Sequence, residues 1–306
     1  MTDSTLPIVL ATVCGLFAGW GAISWGRWLT ADIEPPQPYS VAMTVLLPIA
    51  TAGIFATLAW SVLLGRCQEI ESINLSQTAE FLRLGYHLVL IALLMTSVVT
   101  DMRDYVIPDA ITIPGMVIGI TAATVSGQLE MVPIWIDWNE AVLGYRGAYI
   151  PDWVEQYPHW HGFAWSMTGL LAGGLIVAVT RWIARVILGR EALGFGDVTI
   201  MAMIGSFVGW QPVLFAFALA PLAGLFVAIA SGIVTGRSFV GYGPYLAAGA
   251  VMVLYSWRWL WTPLRTTFGD WISLAILTTV AVAAFCVLLA IVRTFRAIPF
   301  EQTKRR

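Results

Sequence analysis

The chain has 306 residues, of which 58% are hydrophobic and only 11% charged, against about 25% charged in an ordinary soluble domain. A mean hydropathy of +0.80 excludes a soluble protein with a polar coat, and a net charge of -2 without a basic patch gives no footing for nucleic acid. The apolar runs are long and continuous rather than alternating, which favours membrane helices over a membrane β-barrel.

Runs close to the ~20 residues that a helix needs to cross the hydrocarbon core lie at 6–28, 41–64, 85–101, 110–126, 165–188, 198–210, 212–235, 242–262 and 270–293. They predict an all-α fold, a polytopic transmembrane helix bundle of about 8–9 spans embedded in a lipid bilayer. The leading MTDSTLP carries no Lys or Arg, so the first run is read as a span and not as a cleaved leader. Gly15 and Gly19 within it form a GxxxG pattern, expected to pack inside the bundle. Pro35, Pro36 and Pro38 break the chain before the second run. The run at 198–210 is short, either a half-helix or continuous with the next, and Gln211-Pro212 marks a weaker break.

Two connectors are polar. Residues 65–84 read as an amphipathic helix or a loop. Residues 127–164 read as an outer loop whose Trp135, Trp138, Trp153 and Trp160 suit a membrane interface. Its His159 and His161 are expected at that interface and not as metal ligands. Asp137, Glu140, Asp152 and Glu155 lack the spacing of a calcium loop. Cys14, Cys67 and Cys286 form no CxxC pair and are read as structural. No metal and no cofactor is expected. The chain divides into N-terminal spans at 1–84, a core at 85–262, and a last span with a basic tail at 263–306.

Orientation follows Lys and Arg near span ends. Arg181, Arg185, Arg190, Arg237, Arg293, Arg296, Lys304, Arg305 and Arg306 favour one face as cytoplasmic, with Arg146 alone in the long loop; Arg66, Arg83, Arg258 and Arg265 fall on the other face.

Carboxylates at membrane depth are functional candidates by default, because burying the charge costs a few kcal/mol. Asp101, in VVTDMRDYVIPDAIT at 98–112, closes the third run. Asp197, in ALGFGDVTIMAMIG at 192–205, opens the sixth. The fourth span leaves the side where the third ends and the fifth returns to it, so two spans between them put both at one membrane face. Like charges within about 3 Å do not both ionise easily, so such a pair shares a proton. One Asp then acts as general base on a water while the other donates to a substrate carbonyl, and a peptide bond is hydrolysed without metal. Gly194 and Gly196 permit positive φ or close backbone approach beside Asp197, and Pro108 supplies a turn. Each residue also has a plainer reading. Asp101 and Asp104 fit a solvated loop or a pair with Arg103; Asp197 fits an N-cap of a helix starting at Val198; Asp109 fits an N-cap of the fourth span.

Together the two stretches resemble the type IV prepilin peptidases, a GxGD-type aspartyl protease family. The family's Asp followed by an [IL]-P-[DN] turn is matched by Asp101 with Ile107, Pro108 and Asp109. Its G-x-G-D motif is matched by GFGDVTIMAMIGSFVGW at 194–210, and its F-G-P-[FY]-L-A segment is similar to GYGPYLAAGA at 241–250. The resemblance, over roughly 85–262, implies Asp101 and Asp197 as the catalytic pair, supported by Gly194, Gly196, Pro108 and Asp109. It implies an aspartic endopeptidase of the cell inner (cytoplasmic) membrane. Its partner would be a prepilin or pseudopilin whose leader it removes at the cytoplasmic face. Many bacterial members also methylate the new N-terminus through a domain after the first span. Here the 29–40 connector is about a dozen residues without cysteine, too short for a four-ligand zinc module, so methyltransferase activity is not expected. The competing classes are a proton-coupled transporter using the same Asp pair and an inactive assembly scaffold.

Overall fold

Helices form here wherever apolar residues run on unbroken, and they stop at glycine, proline or a polar cap. The computed structural model describes residues 5–33, 41–70, 76–137, 141–142, 145–146, 149–190, 193–235 and 241–297. Among them the chain forms α1 (Thr5–Leu29), α2 (Val41–Leu63), α3 (Gln77–Asp104), α4 (Asp109–Ser126), α5 (Asp152–Gln156), α6 (Pro158–Leu188), α7 (Phe195–Val208), α8 (Trp210–Thr235), α9 (Gly243–Phe268) and α10 (Trp271–Ala297). A two-residue antiparallel pair, β1 (Ala141–Val142) with β2 (Tyr145–Arg146), lies between α4 and α5. Among the described residues, six helices, α1, α2, α3, α4, α6 and α10, are long and apolar enough to cross a membrane. The protein is a multi-pass helical membrane bundle. Pro35, Pro36, Pro38, Trp138, Glu140, Arg237, Lys304, Arg305 and Arg306 lie outside the described residues, as do the side chains of Arg146 and Arg296.

Each expected run becomes a helix, and the differences sit at the ends. Ser76 accepts a hydrogen bond from the Ala79 N–H, capping α3 about two turns earlier than the apolar run suggests. The break after α7 falls at Gly209, not at Gln211-Pro212. Gly209 has φ 85°, open to a residue without a Cβ, and the Trp165 indole occupies the space that a side chain there would need. Pro212 sits in the first turn of α8, where a missing N–H breaks no helical bond. His159 and His161 belong to α6, not to a loop. His161 is fully buried and its Nε2 accepts the Ile134 N–H at 3.2 Å, whereas His159 Nδ1 lies 2.9 Å from the Thr124 carbonyl.

Glycine sets the packing. Gly15 and Gly19 bring α1 against Ala52 and Phe55, and against Pro48 and Thr51, of α2, so the GxxxG is used inside the bundle. Gly162 meets the Ala123 carbonyl of α4, and Gly169 and Gly173 meet the Gly205 and Met201 carbonyls of α7. Such small-residue contacts let backbones close in where lipid offers no hydrophobic drive. Tyr86 of α3 ties the same group together, its hydroxyl lying 2.8 Å from the Gly119 carbonyl and 3.0 Å from the Ser206 carbonyl. Met201 and Met203 are fully buried packing residues. No described side chain of α10 is buried, as expected for a helix facing lipid.

Residues 128–136 correct the picture of an outer loop. Leu129, Met131, Val132 and Ile136 are buried, and the backbone dips into one end of the bundle. Its carbonyls must then find donors. Trp257 Nε1 reaches Met131 O at 3.3 Å, Gln211 Nε2 reaches Pro133 O at 3.1 Å, and Trp210 Nε1 reaches Ile134 O at 2.7 Å. Arg83 Nη1 donates to Glu130 O at 3.2 Å. Cys67 is buried beside this end, its thiol pushed up to about 11 by burial, in keeping with a structural cysteine.

Candidate active site

The opposite end of the bundle gathers three chain segments. In the first, α3 runs a turn beyond the expected stop, so Asp101 lies in its last turn, 6% exposed. The helix leaves through Tyr105 in the left-handed region at φ 54°, whose N–H returns to Asp101 O at 3.1 Å. Arg103 pairs with Asp104, Nε to Oδ1 3.1 Å. The ion pair open to either carboxylate in the sequence is thus made by Asp104. Asp101 instead accepts the Gly243 N–H on Oδ2 at 3.1 Å.

Pro108 makes the expected turn: it holds the N-cap position of α4 at φ -69°, ψ 133°, and accepts the Ile111 N–H at 3.0 Å. Asp109 is therefore not the N-cap. It is the first helical residue, exposed, where its charge favours the helix dipole. The proline's fixed φ decides this, because it places the extended residue one position earlier than a capping Asp would.

In the second segment, Gly194 is the N-cap of α7 and the helix starts at Phe195, three residues before Val198. Asp197 is the third residue of the helix, 7% exposed, and its Oδ2 reaches back to accept the Gly194 N–H at 2.8 Å. That is the acidic half of a capping box, with no side chain at the N-cap to make the other half. Neither glycine uses positive φ; among the described residues the glycines that do are Gly127, Gly189 and Gly209. Gly196 serves close approach alone, since a Cβ there would sit 3.0 Å from Ile107 Cβ. The IPD turn and the GFGD turn are thereby pressed together.

The third segment, Gly241 to Gly243 before α9, touches the Asp101 carboxylate directly. The sequence showed this stretch as a pattern, GYGP, but not as a neighbour of Asp101. Burial first, and then the Asp197 charge, push the Tyr242 phenol up to about 12. Asp101 and Asp197 lie within electrostatic reach of one another, and Arg181 of α6 acts on Asp197. Among the described residues, no three His, Cys, Asp or Glu side chains are grouped to hold a metal ion. Two nearly buried carboxylates from different helices, each held by one backbone N–H, can take a proton from a water and give one to a carbonyl oxygen.

A membrane bundle with this pair at one end defines a class before it defines a family. The type IV leader peptidase family model matches residues 88–229, which carry both carboxylates. It is 28% identical over 200 residues to the type 4 prepilin-like proteins leader peptide-processing enzyme of Escherichia coli O78:H11 (strain H10407 / ETEC), covering 65% of this chain and 68% of that one. With the prepilin leader peptidase/N-methyltransferase of Aeromonas hydrophila it shares 31% identity over 96 residues, 29% of this chain and 32% of that one. The protein of that name from Escherichia coli (strain K12) is 26% identical over 168 residues, 54% of this chain and 60% of that one. The chain thus spans between about a third and two thirds of the length of these curated relatives. No solved structure matches it.

Proposed function

We propose that this protein is an intramembrane aspartic endopeptidase that removes the leader from prepilin-like substrates. Asp101 and Asp197 activate a water between them. One carboxylate accepts the water's proton as its oxygen attacks the scissile carbonyl. The other, protonated, donates to the carbonyl oxygen, and the C–N bond breaks as the amine leaves with a proton. The observation that carries this reading is that two nearly buried carboxylates, from separate helices, lie within electrostatic reach of one another at one end of a membrane bundle. Gly194, Gly196 and Pro108 shape the turns that hold them, and Asp109 lies at the rim. The relatives' names supply the substrate class.

Cleavage takes place at the cytoplasmic face of the inner membrane in this proposal. Arg27, Arg103, Arg181, Arg185, Arg190 and Arg293 lie toward the carboxylate end, which favours that face as cytoplasmic. Arg83, one of the cations counted against it, is buried and bonded to Glu130 O, so it does not report on the membrane surface. Two relatives also bear N-methyltransferase in their names. We assign this chain leader cleavage alone, because α1 ends at Leu29 and α2 begins at Val41, leaving no room for a cysteine-bearing module. Co-expression with a tagged type IV prepilin tests the proposal. Leader loss by gel shift, with a free amine by N-terminal sequencing, is expected. An unprocessed prepilin beside well-inserted protein would contradict it and turn attention to proton-coupled uptake or a scaffold role.

A further inference from the structure

We propose that the Gly241-Tyr242-Gly243 loop is a third component of the active site, its backbone fixing the Asp101 carboxylate, which makes Gly241 and Gly243 positioning residues for hydrolysis. This rests on the reading of Asp101 and Asp197 as the catalytic pair. The loop belongs to neither of the two Asp-bearing stretches and is 142 positions from Asp101 in the chain.

Three observations converge on it. The Gly243 N–H donates to Asp101 Oδ2 at 3.1 Å, leaving Oδ1 as the freer oxygen. A Cβ built on Gly241 would overlap the Asp101 carboxylate, and one on Gly243 would stand 2.8 Å from Oδ2 and 2.9 Å from Ile107 Cδ1. Neither glycine has positive φ, so what the loop needs from them is space, not conformation. Finally, the residue between them, Tyr242, lies within electrostatic reach of Asp197. One tripeptide therefore touches the Asp101 carboxylate and feels the charge of Asp197.

The loop is also built to stay put. The Tyr242 carbonyl accepts the Tyr245 N–H at 3.0 Å and the Leu246 N–H at 3.2 Å. Buried Pro244 occupies the first turn of α9, where it needs no donor. Gly249, a turn and a half further on, locks α9 against the Ala216 carbonyl of α8. A backbone donor held this way is oriented before reaction and needs no reorganisation during it.

The test uses the full-length chain purified in detergent and a tagged type IV prepilin. Gly241→Ala and Gly243→Ala are compared with Gly249→Ala, a glycine just as tightly packed but away from the carboxylates, and with Asp101→Asn. A misplaced catalytic group slows reaction without weakening substrate binding. Gly241→Ala and Gly243→Ala are thus expected to lower kcat ~10- to 100-fold at nearly unchanged KM, while Gly249→Ala lowers thermal stability but keeps kcat per folded molecule. Should Gly243→Ala fold poorly, adding Ile107→Val removes the clashing Cδ1; stability returns and kcat stays low. Wild-type kcat in both loop variants, or a loss that tracks folded protein as in Gly249→Ala, overturns the loop's role while an inactive Asp101→Asn leaves the catalytic pair standing. An active Asp101→Asn overturns both.

Discussion

Gly169 of α6 and Gly205 of α7 cross so closely that a Cβ on either would fall on the carbonyl of the other. This crossing positions Asp197, because α7 is a short helix of 14 residues with the carboxylate in its first turn. Gly173 repeats the contact one turn along, at the Met201 carbonyl. Backbone that cannot move aside makes the added methyl expensive. Gly169→Ala or Gly205→Ala is expected to destabilise the bundle by about 1–3 kcal/mol and to lower cleavage per folded molecule as α7 shifts. Thermal unfolding in detergent reads the first effect and prepilin cleavage the second; unchanged melting would show that the helices separate without cost.

At the far end, Gln211 is 1% exposed, and its Nε2 serves two carbonyls, Pro133 O at 3.1 Å and Ile134 O at 3.3 Å. Gln211→Leu keeps the volume and removes both donors. Buried acceptors left unpaired cost about 1–3 kcal/mol. The expected result is a lower melting temperature with kcat unchanged at a permissive temperature, since the plug is at the other end from Asp101. Loss of kcat without loss of stability would contradict a purely structural plug.

The same plug gives a pH dependence. Burial raises the Glu130 carboxyl above its ordinary 4.5, outweighing the nearby Arg83 charge. A group raised on folding contributes stability that is present below its unfolded value and lost as pH rises through its folded value. Glu130→Gln remains neutral throughout. The variant should therefore gain stability relative to wild type as pH rises above about 4.5, by no more than about 1.4 kcal/mol per pH unit. A stability difference that is constant from acid to neutral pH would show that Glu130 keeps its ordinary affinity for protons.

Much of the fold was legible because lipid imposes it. A chain with 58% hydrophobic residues must satisfy its backbone within helices, so each expected run became a helix. Parity through α3, α4 and α6 placed Asp101 and Asp197 at one end before any coordinate was known. The helix ends were less legible because local geometry decides them. Pro108, not Asp109, takes the N-cap of α4, and Gly209, not Pro212, separates α7 from α8. The plug at 128–136 and the contact of Gly243 with Asp101 were hidden for another reason. Both depend on partners far along the chain, Gln211 lying 78 positions from Pro133 and Gly243 142 from Asp101, and polarity along the chain carries no record of them.

The central claim is that Asp101 and Asp197 together hydrolyse the leader peptide bond, and cleavage of a tagged type IV prepilin by wild type, Asp101→Asn and Asp197→Asn tests it most directly. Asparagine keeps the shape but can neither take nor release the proton. Each single variant should lose cleavage by ~10^3-fold or more while inserting in the membrane at wild-type levels. Processing by either variant at a rate near wild type would contradict the carboxylate pair as the catalytic machinery.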